Sequence, residues 1–186
     1  MNITTAAEQS NRTNQLQHRI EVDDAFLDQV LTPYRHHCRY LNSVQIGFEG
    51  EGTPTWDKMV SRGKFAIGES CYIDDTGHFN AVEFNICYNQ LAYVHLAVCV
   101  REGLMPALSD YTLKSYFQKQ LSNYLIASIH SHYHSELNPR DFSGEVRVLS
   151  ARSRPRLSVL KTACRFHDGR SGRSDGEVKL VVLSAQ

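Results

Sequence analysis

The pattern of apolar residues predicts one long buried helix in the middle of the chain. Apolar side chains occur on nearly every face of a helix over residues 79–100, in one stripe of Phe79, Val82, Ile86, Tyr93 and Ala97 and an opposite one of Phe84, Cys87, Leu91 and Val98. A helix that is apolar all round is typical of a protein interior. Buried polar groups must be hydrogen-bonded, so the N-terminal half is unusual in also carrying Asn80, Glu83, Asn85, Asn89 and Gln90.

Shorter elements surround this helix. One helix is predicted from Asp23 or Asp24 to near Pro33, and another, capped by Ser109 or Asp110, to near Leu121. Apolar runs bounded by turn residues predict strands over 41–48, 60–67, 124–132, 142–150, 157–166 and 177–183. Helices that cover one face of an antiparallel sheet form an α+β fold. The helix that is apolar all round favours a sheet wrapped around it.

Composition and charge narrow the class of protein. The 186 residues, 41% hydrophobic and 22% charged, suit one globular domain. We assign the polar residues 1–21 to a flexible arm and residues 22–186 to a single domain. Lys and Arg balance Asp and Glu at 20 each, which argues against nucleic acid or an anionic membrane as partner. No apolar run approaches the roughly 18 residues of a membrane helix, and residues 1–17 contain no signal-peptide core, so we expect a cytoplasmic protein.

Cysteine and histidine patterns do not favour a metal site. The five cysteines are widely spaced and contain no C-x-x-C pair, which argues against disulfides and zinc knuckles. His130, His132 and His134 would share one face of a strand, where they could bind zinc or copper or form a solvated strand end. The solvated strand end is favoured because a metal site usually draws a further ligand from elsewhere. We expect neither a metal nor another cofactor.

His78 and Glu83 are the first candidates for chemistry. Gly77 predicts a turn, His78 then lies at the helix entrance, and Glu83 follows just over one turn inside. Burial disfavours the charged form of a carboxylate, which suits a proton carrier. The helix N-terminus offers N–H groups to an oxyanion such as a thioester enolate. In the alternative interpretation, Glu83 pairs with an arginine of the sheet and His78 caps the helix.

Two further groups of polar residues each have two interpretations. Tyr72, Asn80, Asn89, Gln90 and Tyr93 could hold a carbonyl or carboxylate oxygen, or could form a network that satisfies strand ends and the helix start. The stretch from Arg147 to Arg173 is locally basic. It is either a solvated sheet edge or a landing surface for the phosphates of coenzyme A or for an acidic acyl carrier protein.

Several segments resemble the FcoT-type hotdog thioesterase family. They are Leu31-Thr-Pro-Tyr34, Cys38-Arg-Tyr40, Gly63-Lys-Phe-Ala-Ile-Gly-Glu-Ser70, Tyr72, Thr76-Gly-His-Phe-Asn-Ala-Val-Glu83 and Asn89-Gln-Leu-Ala-Tyr93, extended by Gln120-Leu-Ser122 and Leu137-Asn-Pro139. The resemblance covers most of the chain after the N-terminal arm. It implies a hotdog fold, in which a curved antiparallel sheet surrounds one long helix, and subunits paired in dimers with sites at the interface.

The same resemblance implies thioester substrates. Members of the family are described as long-chain acyl-CoA thioesterases, or as enzymes that add glycine to a (2E)-enoyl thioester on an acyl carrier protein and then hydrolyse the thioester. The family's polar site positions fall on Tyr34, Tyr72, Asn80, Asn89 and Tyr93. The histidine and glutamate of its Gly-His-Phe-Asn-Ala-Val-Glu motif fall on His78 and Glu83.

The leading hypothesis is glycine addition to an enoyl thioester of acyl carrier protein or coenzyme A, followed by hydrolysis to a 3-(carboxymethylamino) fatty acid for natural-product biosynthesis. Glu83 or His78 would remove a proton from glycine, and Arg39 would bind its carboxylate. The alternatives are a plain medium- or long-chain acyl-CoA thioesterase and a non-catalytic acyl or carrier-protein binding module. A complete His78 and Glu83 pair counts against the binding module. We expect a homodimer or a dimer of dimers.

Overall fold

The computed structural model describes residues 16–74 and 76–185, which form one sheet and three α-helices. The strands are β1 (Gln17–Ile20), β2 (Leu41–Phe48), β3 (Met59–Phe65), β4 (Tyr124–Ser135), β5 (Phe142–Arg154), β6 (Leu157–His167) and β7 (Arg173–Leu183). The helices are α1 (Asp24–Leu31), α2 (Ala81–Arg101) and α3 (Leu113–Asn123). Single 3₁₀ turns occur at His36–Cys38 and Pro106–Leu108.

All seven strands lie in one antiparallel sheet in the order β1-β2-β3-β5-β6-β7-β4. Strand β4 follows α3 directly in the chain but pairs with β7, so β1 and β4 are the two edges. Alternate residues of β7 from Ser174 to Val182 are buried while the residues between them face outward. This alternation is typical of a sheet that is covered on one face.

Helix α2 packs on the covered face of the sheet. Phe84, Tyr88 and Leu91 of α2 have no solvent exposure. The ring centroids of Phe84 and Phe166 are 5.1 Å apart, and a Cβ added at Gly144 would lie 2.5 Å from the Phe166 ring, so the sheet needs glycine there. The predicted α+β architecture, a sheet against one long buried helix, is therefore confirmed, and the aromatic packing holds the N-terminal end of α2 against the sheet.

The end of the predicted arm needs correction. Gln17–Ile20 were assigned to the arm over residues 1–21, but they form β1 and pair with β2. An edge strand is held by backbone hydrogen bonds, and four residues are too few to show the alternation that predicts a strand. Residues 1–15 lie outside the described residues.

The two longer helices begin later than predicted. Helix α2 starts at Ala81, not at Phe79, because Asn80 has extended backbone angles and is the N-cap. Helix α3 is capped by Thr112 and not by Ser109 or Asp110; the Asp110 carboxylate instead accepts hydrogen bonds from Ser184 Oγ and the Ala185 N–H, each at 2.8 Å. Within residues 16–74 and 76–185, the structure contains no helix with the length and apolar character needed to cross a membrane.

Candidate active site

The first turn of α2 is closed by reciprocal hydrogen bonds between Asn80 and Glu83. Asn80 Oδ1 accepts the N–H groups of Val82 at 2.9 Å and Glu83 at 3.3 Å. Glu83 Oε2 accepts the N–H of Asn80 at 3.1 Å, and this carboxylate is only 3% exposed. This capping box satisfies N–H groups that the helix cannot pair internally. Asn80 therefore caps the helix, and the interpretation in which His78 does so is wrong.

His78 lies in the exposed turn immediately before the cap. Its Nδ1 is 3.0 Å from the carbonyl oxygen of Thr76, and Thr76 Oγ1 donates to the His78 carbonyl at 3.0 Å. Gly77 between them has a φ of 77°, in the left-handed region that favours glycine. Because a carbonyl oxygen only accepts, Nδ1 carries the hydrogen, and Nε2 is left as the basic ring nitrogen.

A cavity of about 560 Å³ opens in front of this turn. His78, Phe79, Asn80 and Ala81 line one side, and Tyr133, His134, Ser135 and Glu136 at the end of β4 line the other. The Phe79 N–H donates to the Leu137 carbonyl at 3.2 Å and ties the two sides together. The cavity thus combines an imidazole, a fixed amide and a helix start, which are groups that serve proton transfer and oxyanion binding.

Further polar side chains, Asn89 and Tyr93, lie along α2, and Tyr34 packs beside Tyr93. The Tyr34 and Tyr93 ring centroids are 6.5 Å apart, and Asn89 Nδ2 donates to Asn85 Oδ1 at 3.4 Å. Burial, followed by the neighbouring Tyr93 and Cys87, raises the pKa of Tyr34 well above its usual range, and burial also raises the pKa of Tyr93. Both phenols therefore keep their protons at neutral pH and can donate hydrogen bonds to a substrate oxygen.

The predicted site residues thus fall into two groups, with two exceptions. His78 and Asn80 line the cavity with Glu83 bonded to Asn80. Asn89 and Tyr93 lie further along α2, where Tyr34 packs against Tyr93. Tyr72 is 48% exposed in the loop that precedes the turn. Arg39 donates through Nε to the Tyr34 carbonyl at 3.3 Å and pairs with Asp28 at 3.5 Å. It lines a separate cavity of about 470 Å³ beside α1.

The comparisons with known proteins decide the family. A model of the FcoT-like thioesterase domain matches residues 29–182. The chain belongs to the FcoT-like thioesterase family. A protein of Streptomyces coeruleorubidus named (2E)-enoyl-[ACP] glycyltransferase is 42% identical over 167 residues, which cover 87% of this chain and 98% of that protein. A protein of the same name from Mycobacterium tuberculosis is 36% identical over 169 residues, 89% of each chain.

Solved structures with a weaker likeness to this chain include thioesterases. A Thermus thermophilus thioesterase complexed with coenzyme A and zinc is 16% identical, covers 66% of this chain and 78% of its own, and has a TM-score of 0.44. A Haemophilus influenzae thioesterase is 8% identical over 75% of this chain and 79% of its own, with a TM-score of 0.43. The family predicted from the sequence is confirmed by the family model and by these relatives, and the antiparallel sheet against the long helix α2 agrees with the predicted α+β architecture. The protein is a thioesterase-like enzyme.

In this FcoT-like chain, Gln90 has a structural role. Its Oε1 accepts the N–H groups of Tyr40 at 3.0 Å and Leu41 at 2.9 Å, and its Nε2 donates to the Cys38 carbonyl at 2.6 Å. Gln90 is fully buried, and its three hydrogen bonds hold the backbone at the start of β2. For this member of the polar group that also contains Tyr72, Asn80, Asn89 and Tyr93, the interpretation as a network that satisfies a strand end is correct.

The basic stretch is partly neutralised by acidic neighbours. Arg147 donates to Glu49 at 3.0 Å and to Glu145 at 2.6 Å, and Lys161 pairs with Glu177 at 2.8 Å. All five cysteines are free thiols, and burial raises the pKa of Cys99 to about 12 and of Cys164 to about 12. Within the part of the chain that the structure describes, no three His, Cys, Asp or Glu side chains are grouped as metal ligands.

Sequence reasoning missed the β4 side of the cavity. Tyr133 and Glu136 were not candidates, and His134 was considered as a metal ligand and interpreted as part of a solvated strand end. Their position depends on the pairing of β4 with β7, which joins residues some 40 positions apart in the chain. Local patterns contain no signal for such a pairing.

Proposed function

We propose that this FcoT-like enzyme adds glycine to the β-carbon of a (2E)-enoyl thioester and then hydrolyses the thioester, releasing a 3-(carboxymethylamino) fatty acid for natural-product biosynthesis. The observation that carries the proposal is the 42% identity to a (2E)-enoyl-[ACP] glycyltransferase over 98% of that protein's length. The cavity at the start of α2 supports it, because its groups suit both an addition and a hydrolysis.

The addition needs a donor for the enolate oxygen, and Asn80 is our candidate. Attack of the amine on the β-carbon moves the π electrons of the double bond toward the thioester oxygen, where negative charge develops. The N–H groups of Val82 and Glu83 are already occupied by Asn80 Oδ1. Because those bonds fix the orientation of the amide, its Nδ2 is a preorganised donor. Glu83, bonded to the Asn80 backbone, then acts by holding the amide in place.

The hydrolysis needs a base for water, and we assign this step to His78. Its Nδ1 is engaged by the Thr76 carbonyl, so Nε2 can accept a proton from water beside the thioester carbon. Tyr34, Asn89 and Tyr93 would hold the acyl carbonyl or the pantetheine arm through their donors, and Tyr72 would lie at the rim. Arg39, which is paired with Asp28, would position Tyr34 and not bind glycine.

We further propose that two copies pair through the β4 edge, either as a homodimer or within a dimer of dimers. The edge exposes Leu125, Ile126, Ile129 and Tyr133, which are 36% to 44% exposed. Unpaired edge strands with apolar side chains favour association. Light scattering should report twice the chain mass or more, and the Ile129→Lys variant should shift the protein toward monomer. A monomeric native protein would contradict the pairing.

The carrier and the compartment are also proposals. An acidic acyl carrier protein is the favoured partner, with exposed Arg152, Arg154 and Arg156 at the β5–β6 turn as its landing surface. Turnover of the carrier-protein thioester should fall in the triple Arg→Ser variant while turnover of the coenzyme A thioester stays constant. We place the enzyme in the cytoplasm because its five cysteines are free thiols, the form that a reducing compartment maintains.

Product analysis tests the function directly. A medium-chain (2E)-enoyl thioester is incubated with the enzyme, with and without glycine, and the released acids are identified by mass spectrometry. We expect an acid heavier than the enoic acid by one glycine. Free enoic acid formed equally with and without glycine would instead support a plain acyl-CoA thioesterase, the second candidate, which the name of the family domain favours.

A further inference from the structure

The end of β4 contains an irregularity at His134. Tyr133 pairs with Ser174 of β7 and Ser135 pairs with Arg173, so two steps on β4 match one step on β7 and His134 is the extra residue. Such bulges bend an edge strand and redirect the side chain of the extra residue. Here the bulge brings His134 Nε2 into hydrogen-bond contact with Asp175 Oδ1 of β7.

The bulge is held against the entrance of α2. The Tyr133 ring packs edge-on against Phe84, with ring centroids 5.9 Å apart, and the Phe79 N–H bonds to the Leu137 carbonyl at 3.2 Å. Contacts on both sides of His134 therefore fix it relative to the turn that carries His78. Both histidines line the same cavity of about 560 Å³. The side chains of His134 and Asp175 are 41% and 44% exposed, so a small polar substrate can reach them.

We propose that His134, oriented by Asp175, is the base that removes a proton from the ammonium group of glycine before it attacks the enoyl thioester. The proposal rests on the function proposed above. A carboxylate only accepts, so Nε2 carries the hydrogen, and Nδ1 is left with the lone pair that takes the proton. An aspartate that orients a histidine and stabilises its protonated form is a recurrent arrangement in general-base catalysis.

The proton balance of the addition follows from this assignment. Glycine enters as an ammonium ion and gives one proton to His134 Nδ1. The amine lone pair forms the C–N bond at the β-carbon while the π electrons of the double bond move onto the thioester enolate. The enolate then takes one proton at the α-carbon, which the imidazolium of His134 supplies through water. One proton has moved from nitrogen to carbon, and His134 is neutral again.

The charged groups around His134 favour an ammonium ion. Asp175 contributes a carboxylate from β7, and Glu136 contributes another from the cavity wall. The other titratable or charged neighbours are His132, paired with Asp175 across the strands, Arg173, paired with Ser135, and His78 on the opposite wall. The cavity therefore has one base on each side, His134 for the amine and His78 for water.

Assaying glycine addition and thioester hydrolysis separately tests the assignment of His134 to the first step and His78 to the second. The His134→Gln and Asp175→Asn variants are compared with wild type and with His167→Gln, an exposed histidine at the end of β6. Each enzyme receives the enoyl thioester with glycine, and separately a synthetic thioester of the 3-(carboxymethylamino) acid. We expect His134→Gln to lose about 100-fold or more in glycine addition, Asp175→Asn to lose less, and both to hydrolyse the preformed adduct like wild type. Imidazole added to a His134→Ala variant should restore part of the addition.

Three other results would overturn the role of His134, the proposed function, or both. Addition within about 3-fold of wild type in His134→Gln, while wild type forms the glycine adduct, would overturn the role of His134 and leave the proposed function standing. Equal losses of addition and of adduct hydrolysis, without imidazole rescue, would show that His134 has a structural role, and would also overturn its role as a base. Absence of any glycine adduct with wild type would overturn both proposals.

Discussion

The first turn of α2 and the middle of α2 carry polar residues for different reasons. In the middle of the helix, Gln90 is bonded to three backbone partners, and His95 bonds Ser61 at 2.9 Å within a fully buried environment. In the first turn, Asn80 uses its oxygen for the helix cap and lines a cavity at the same time. Gln90, whose hydrogen bonds are all made inside the core, serves structure. Asn80 is anchored by its oxygen while its Nδ2 can face the cavity, so it can serve chemistry.

The largest expected effect is the loss of thioester hydrolysis on replacing His78 in the cavity wall. The His78→Gln variant should lose about 100-fold or more in hydrolysis of a preformed thioester adduct, because the base for water is removed. Its thermal unfolding should match wild type, since His78 lies in an exposed turn. Steady-state kinetics measures the loss, and His167→Gln is the control. Hydrolysis at the wild-type rate would remove His78 from the mechanism.

The Asn80→Asp variant distinguishes the role of Asn80 as a helix cap from its role as a hydrogen-bond donor to the enolate. The aspartate oxygen can still accept the N–H groups of Val82 and Glu83, but no Nδ2 remains to stabilise an enolate. Glycine addition should therefore fall about 100-fold, while the melting temperature changes little. Asn80→Ala should lose activity and about 1 kcal/mol of stability as well. Equal activity of Asn80→Asp and wild type would show that the amide is only a cap.

The next expected effect is a loss of folding stability on replacing Gln90 in the middle of α2. Gln90→Leu removes three hydrogen bonds and leaves buried backbone groups without partners, which should cost about 3 kcal/mol or more. Urea unfolding measures the change, with Gln118→Leu on the exposed face of α3 as the matched control. A variant as stable as wild type would contradict the structural role of Gln90.

His95 should make stability depend on pH. Burial lowers the pKa of His95 to about 3 from its usual 6.5, so between these values the unfolded chain binds one proton more than the folded chain. Stability should therefore fall as pH falls below 6.5, by about 1 kcal/mol per pH unit. Urea unfolding of wild type and His95→Gln from about pH 5 to about pH 7 measures the difference in slope. Equal slopes would show that His95 titrates normally in the folded protein.

Glu83→Gln should have the smallest effect. Glutamine can still accept the Asn80 N–H at N3 of the helix, so turnover should stay within about 10-fold of wild type if Glu83 only positions Asn80. A loss of about 100-fold would make the carboxylate a proton carrier instead. Initial rates of glycine addition for the two enzymes decide between these roles.

Local patterns predicted the elements better than the site. Strand β2 lies where the apolar run predicts it, at Leu41–Phe48, and α2 is displaced by two residues because the cap at Asn80 outweighs the apolar character of Phe79. His78 and Asn80 could be found because they lie at the start of a predicted helix. His134 could not, because its position depends on a bulge in the β4–β7 pairing. The expectation for Arg39 took no account of Asp28, which α1 brings beside it.

A crystal structure with a bound substrate analogue tests the central claim most directly. In a (2E)-enoyl pantetheine analogue, an amide replaces the thioester so that hydrolysis cannot occur. We predict that its β-carbon lies in the cavity between His78 and His134, with the amide oxygen facing Asn80. An analogue bound instead in the cavity beside Arg39 would contradict the account.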